Sequence, residues 1–205
     1  MMKNIFYGSV SWLFLVIIVL VLFITQTKPF HTLLPTEMII LVEGFKLFFI
    51  SIILPLFIKP ADEKVAVFYK SLFGNIMIFI LLFLPLTLMA QYFSLADAPS
   101  VIRFNILLLL IGGIAGLCAY RDILRWYYFL WTLITAAFPI FHYFILELAG
   151  KDARFLLRIN PFWLIGRISE PVIFVPDMFL QLLLMFIVFI VINIIPWAKK
   201  DEPAE

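Results

Sequence analysis

Charged residues cut this chain into long apolar runs. None falls between Lys3 and Lys28, Lys70 and Asp97, Arg103 and Arg121, Arg125 and Glu147, or Asp177 and Lys199. A sixth run, bracketed by Pro35 and Pro60, carries Glu43 and Lys46 in its interior. A helix needs about 20 apolar residues to cross the hydrocarbon of a bilayer, because no water is there to satisfy its backbone. The pattern therefore predicts six transmembrane helices, over 8–27, 36–58, 71–95, 104–120, 126–146 and 178–197, in one domain spanning residues 1–205. The first run continues to Ile24 with no small-residue cleavage pattern after it, so it reads as a retained span and not a signal peptide.

Composition agrees with a lipid-embedded chain. Of 205 residues, 65% are hydrophobic and 14% charged, and the mean hydropathy is +1.13. A water-soluble domain is about half apolar and a quarter charged. The 15 Lys and Arg nearly balance the 13 Asp and Glu, leaving no strongly basic surface for nucleic acid. The distribution of cations is more informative than their sum. Six spans put both termini on one side, and on that side lie Lys3, Lys59, Lys64, Lys70, Arg121, Arg125, Lys199 and Lys200. The opposite short loops hold only Lys28 and Arg103, with Lys151, Arg154, Arg158 and Arg167 in one long segment. Both termini are expected in the cytoplasm. Trp12, Trp126, Tyr127, Tyr128 and Trp197 fall near expected span ends, where amphipathic rings sit among headgroups.

Three segments depart from plain spans. Residues 148–176 mix Lys151, Asp152, Arg154, Arg158, Arg167 and Glu170 with Phe155, Phe162 and Trp163, and Asn160-Pro161 interrupts them. This suits either two short interfacial helices or a re-entrant hairpin, with Pro171 and Pro176 separating the element from the last span. Lys59 to Lys70 is the most charged cytoplasmic connection and reads equally as a docking surface or a solvated turn. Glu43 and Lys46, three residues apart, share a helix face. A charge at the bilayer centre costs about 2.5–3.5 kcal/mol on insertion scales, so the pair is either a functional site or an assembly device.

The remaining candidates are structural. Gly112, Gly113 and Gly116 with Ala115 and Ala119 form a small-residue surface for close helix approach. Asn75, Asn105, Asn193 and the lone His142 are expected to hydrogen-bond between helices. Cys118 is the single cysteine, and neither a metal-ligand cluster nor a phosphate loop, H-E-x-x-H or G-x-S-x-G motif is present. No catalytic residue, metal site or cofactor is expected, and enzymatic activity is not.

Taken together, the layout resembles the permease subunit of an ABC-2 type transporter. The local likeness lies in Leu157-Arg-Ile-Asn-Pro-Phe-Trp-Leu-Ile165, similar to the Asn-Pro segment such permeases carry before their last helix. The resemblance implies a homodimer or a dimer with a paralogous permease, embedded among membrane lipids of a bacterial inner membrane and driven by a separate ATP-binding subunit. It places ATPase coupling at Asp62, Glu63 and Lys64, and an outer re-entrant gate at Asn160 and Pro161. The substrate is not implied. The Gly-Thr pair that follows the acidic residues in that family is absent, since Glu63 is followed by Lys-Val-Ala-Val. The alternative is therefore a non-transporting scaffold subunit of a larger membrane complex, and a third reading is an ion- or proton-coupled carrier using Glu43 and Lys46.

Overall fold

The structure, a computed structural model, describes residues 2–26, 35–58, 65–94 and 96–194, and all regular structure among them is helical. Five helices are long and apolar enough to cross a membrane: Glu37–Phe57, Val67–Phe93, Ala98–Tyr120, Leu124–Ala149 and Ile173–Ile194. Ahead of them runs α1, Met2–Gln26, with an apolar stretch Ile5–Val21. The chain is thus a membrane-embedded helical protein.

Two of the long helices are broken internally. α2, Pro35–Phe48, passes into a π turn at Phe49–Ile53 and a 3-10 turn at Leu54–Phe57. Then come α3, Val65–Phe93, and α4, Ala98–Tyr120. α5, Leu124–Thr132, passes through a second π turn at Leu133–Ala137 into α6, Phe138–Ala149. Gly150 ends α6 in the left-handed conformation, φ 59°, that glycine adopts without a Cβ penalty. The short helices α7, Phe155–Arg158, and α8, Pro161–Ile165, precede the last long helix α9, Pro171–Ile194.

Several expected boundaries move. α3, α4 and α9 begin at Val65, Ala98 and Pro171, six or seven residues before their expected starts. Lys70, Arg103 and Asp177 bound the apolar runs, but a charge near a helix end does not stop the helix when its head reaches water or a partner. Asp177, for instance, takes an ion pair with Arg158 at 3.4 Å. Pro171 stands at the boundary between the preceding element and α9, which it opens at no cost for its missing N–H, whereas Pro176 lies inside the helix.

The core centres on α4. Sixty-seven percent of its apolar window is buried, against 6% for Leu124–Ala149. α4 packs against α3, α9 and the broken end of α2. In lipid this packing depends on close backbone approach, because apolar side chains gain little by leaving an apolar solvent. A Cβ at Gly112 would lie 2.6 Å from Ile76 Cδ1 and 2.9 Å from Ile50 Cγ2, and one at Gly116 would collide with Leu72. The small-residue surface therefore joins helices within one chain. Stacked rings continue the packing, with Phe49 and Phe79 centroids 4.4 Å apart.

Candidate functional site

Two polar assemblies stand out in an apolar bundle. The first is a knot around Lys46 at the middle of the α2 span. Lys46 Nζ lies 2.7 Å from Glu43 Oε1 and donates to Asn105 Oδ1 at 2.9 Å and Thr87 Oγ1 at 3.2 Å. The ammonium thus has three oxygens around it, one each on α2, α3 and α4, two of them as hydrogen-bond acceptors and Glu43 as an ion pair. Lys46 and Glu43 are fully buried, at 1% and 0% exposure. Asn105 Nδ2 in turn donates to Val101 O at 2.8 Å, which fixes the amide's orientation. Such a pair is expensive to desolvate and stable only while complete, so loss of either partner strands a charge.

The second assembly follows from two prolines. Pro55 has no N–H for the carbonyl four residues back, Ser51, and Pro139 has none for Thr135. Both carbonyls sit in π turns, and in lipid each needs a donor from elsewhere. Tyr127 Oη donates to Ser51 O at 2.9 Å, and Tyr128 Oη to Ile52 O at 2.9 Å. Asn160 Nδ2 donates to Thr135 O at 3.1 Å. The broken end of α2 is thereby held by α5, and the broken middle of α5–α6 by the turn between α7 and α8.

Asn160 has a second task. Its Oδ1 accepts from Phe162 N at 2.9 Å and Trp163 N at 3.4 Å, the N-cap geometry that starts α8, and Pro161 occupies the first helical position. On its other side the element is fastened to α9, because Gln181 Nε2 donates to Arg158 O at 2.8 Å and Arg158 pairs with Asp177. Helices of four and five residues are about 6 and 7.5 Å long, so neither crosses a bilayer. Arg167 closes the segment with an ion pair to Glu170 at 2.8 Å, its guanidinium 5.0 Å from the Trp163 ring.

Other expected residues fall as follows. Asn193 Oδ1 accepts from Tyr69 Oη on α3 at 2.7 Å, an interhelical bond, whereas Asn75 donates to Ser71 O within its own helix. For His142, Nδ1 has no hydrogen-bond partner among the described residues. Trp12 lies mid-helix and not at a span end, donating to Phe45 O at 3.2 Å. Tyr127 and Tyr128 serve the α2 carbonyls of Ser51 and Ile52; Pro55 was the sequence signal for Ser51, as Pro139 was for Thr135. Asp62, Glu63, Lys64 and Trp197 lie outside the described residues. No group of three or more metal-ligating side chains occurs among the described residues. No protein family, curated protein or solved structure matches the chain.

Proposed function

We propose that the chain is the membrane-embedded permease subunit of an ABC-2-like transporter, with no reaction chemistry of its own. In this reading α1 is a sixth span, both termini are cytoplasmic in a bacterial inner membrane, and the chain pairs with itself or a paralogue. A separate ATP-binding subunit supplies the energy. The observation that supports it best is the broken α7–α8 element ahead of the last helix, capped by Asn160 and tied to helices on two sides.

The hydrogen bonds suggest how force travels. The cytoplasmic segment with Asp62, Glu63 and Lys64 follows directly on the 3-10 end of α2. A pull there displaces Ser51 and Ile52, which carry Tyr127 and Tyr128 of α5. The π turn of that helix carries Asn160, and with it the outer element. Irregular turns are suited to such movement because their carbonyls exchange donors at little cost compared with breaking a regular helix.

The alternative scaffold role draws on the nearly unburied helix Leu124–Ala149, a surface that a larger assembly would cover. Reconstitution with a co-purified ATP-binding subunit separates the two. Transport predicts lipid-dependent ATP hydrolysis that Glu63→Ala lowers several-fold; a scaffold predicts hydrolysis indifferent to that change, or no such subunit.

A further inference from the structure

Between α3 and α4 lies a cavity of about 410 Å³, within the roughly 300–1,000 Å³ range of small-molecule sites. Its polar lining residues are Lys46, Thr87, Gln91 and Asn105, and every other residue lining it is apolar. It opens toward the bilayer, because Leu84 and Leu88 on α3 and Ile102 and Ile106 on α4 line it and are each exposed. Lys46 Nζ is within hydrogen-bond distance of Thr87 Oγ1 and Asn105 Oδ1, so the ammonium stands at the cavity wall between two lining side chains. Its counter-ion does not, since Glu43 is fully buried and is not part of the lining. The cavity therefore meets the cationic half of the knot.

Charge balance limits what can enter. An anion arriving alone would leave one uncompensated negative charge in the hydrocarbon, at about 2.5–3.5 kcal/mol on insertion scales. A cation would face the ammonium. An anion that brings a proton adds no net charge, and the knot has a place for that proton. Apart from the ion pair with Lys46, neither oxygen of Glu43 has a hydrogen-bond partner among the described residues. A carboxylate can accept about four hydrogen bonds, so this one is poorly satisfied when ionised and gains by becoming neutral. The ammonium meanwhile exchanges one carboxylate partner for another.

We infer that the cavity binds a small monocarboxylic acid with an apolar body, taken up together with its proton. The acid enters uncharged from the bilayer side. Its O–H bond breaks and the proton goes to Lys46 Nζ, as Lys46 passes one of its own protons to Glu43 Oε1, 2.7 Å away. The acid's carboxylate then pairs with the ammonium. One carboxylic acid and one carboxylate are present before the step and one of each after it. The apolar body lies against Ile80, Leu84 and Ile106. The site uses neither the α7–α8 element nor an ATP-binding subunit, and stands independently of what drives the chain.

No other titratable side chain faces the pair. α3 contributes Thr87 and α4 contributes Asn105, and α8 has no titratable residue. The Ile5–Val21 stretch of α1 has only Tyr7, which is exposed. Arg103, two residues from Asn105, lies on the opposite side of α4. Glu37 and Asp97 stand at helix starts, about 9 and 12 Å along the axis from Glu43 and Asn105.

The test measures binding of tritiated octanoate to the full chain in nanodiscs, with proton uptake followed in weak buffer. Saturable binding of one octanoate per chain is expected, with one proton taken up for each. Octanoate is ionised in water above about pH 5, so its affinity should fall about tenfold per unit between about pH 6 and pH 8. Octanamide, the same size but without the charge, should bind about tenfold more weakly than octanoate at the lower pH and take up no proton. Glu43→Gln leaves the ammonium without a proton acceptor beside it and should flatten the pH dependence. Glu43→Leu with Lys46→Met, which removes both charges and strands neither, should abolish saturable binding, and Leu84→Trp should weaken it by filling the cavity. Absence of saturable octanoate binding, an affinity independent of pH, equal binding of octanamide, or binding unchanged in the double variant would each overturn the assignment.

Discussion

The pairing of Pro55 with Tyr127 makes a quantitative prediction. Tyr127→Phe removes only the hydroxyl that donates to Ser51 O at 2.9 Å, in a setting where Ser51 is fully buried and Tyr127 is 8% exposed. Leaving a buried carbonyl without a donor costs about 1–3 kcal/mol. Measured interhelical bonds in membranes average about 0.6 and reach about 1.7 kcal/mol, because the membrane-embedded unfolded state also finds partners. The expected loss is therefore about 1–2 kcal/mol. In a Pro55→Ala background residue 55 regains an N–H, and Ser51 O regains a donor within its own helix. There Tyr127→Phe is expected to cost less than about 0.5 kcal/mol. The double-mutant cycle is read by reversible unfolding in mixed micelles, titrating with a denaturing detergent and following tryptophan fluorescence. Equal cost of Tyr127→Phe in both backgrounds would refute the idea that the tyrosine replaces the donor proline lacks.

Other substitutions probe the remaining contacts. Lys46→Ala strands the Glu43 carboxylate and should destabilise the fold by about 3–5 kcal/mol, whereas Glu43→Leu with Lys46→Met recovers most of that loss in the same unfolding assay. Asn160→Ala removes the cap of α8, about 0.5–2 kcal/mol, so hydrogen exchange at the Phe162 and Trp163 amides should accelerate by up to about 30-fold while exchange in α4 stays unchanged. Gly112→Ala forces a methyl against Ile76 and Ile50, both fully buried, and should cost about 1–3 kcal/mol. Gly74→Ala on α3, with open space at its Cβ, should be neutral or stabilising by up to about 1 kcal/mol.

Much of the architecture was legible where one chain property decides it. Apolar run length found the long helices, because hydrocarbon leaves the backbone no other solution. Spacing alone put Glu43 and Lys46 on one face, and Asn160-Pro161 marked a break that is a capped helix start. What escaped depends on distant partners. Thr87 and Asn105 are 41 and 59 residues from Lys46, and nothing local in either says that an ammonium will point at it. Tyr127 and Tyr128 have the look of headgroup anchors because a tyrosine satisfied by a helix carbonyl and one satisfied by a lipid read alike. The prolines at 55 and 139 held the missing information, since each leaves a countable orphan carbonyl four residues earlier. The exposure of Leu124–Ala149 was not legible either, as a lipid-facing helix and a buried one share the same composition.

The transporter reading is tested most directly by purifying the chain from its native membrane in a gentle detergent and identifying what accompanies it. The account predicts an ATP-binding subunit in stoichiometric amount, lost when Asp62, Glu63 and Lys64 are replaced together by alanine. A stable set of other membrane subunits with no ATP-binding protein among them would contradict it.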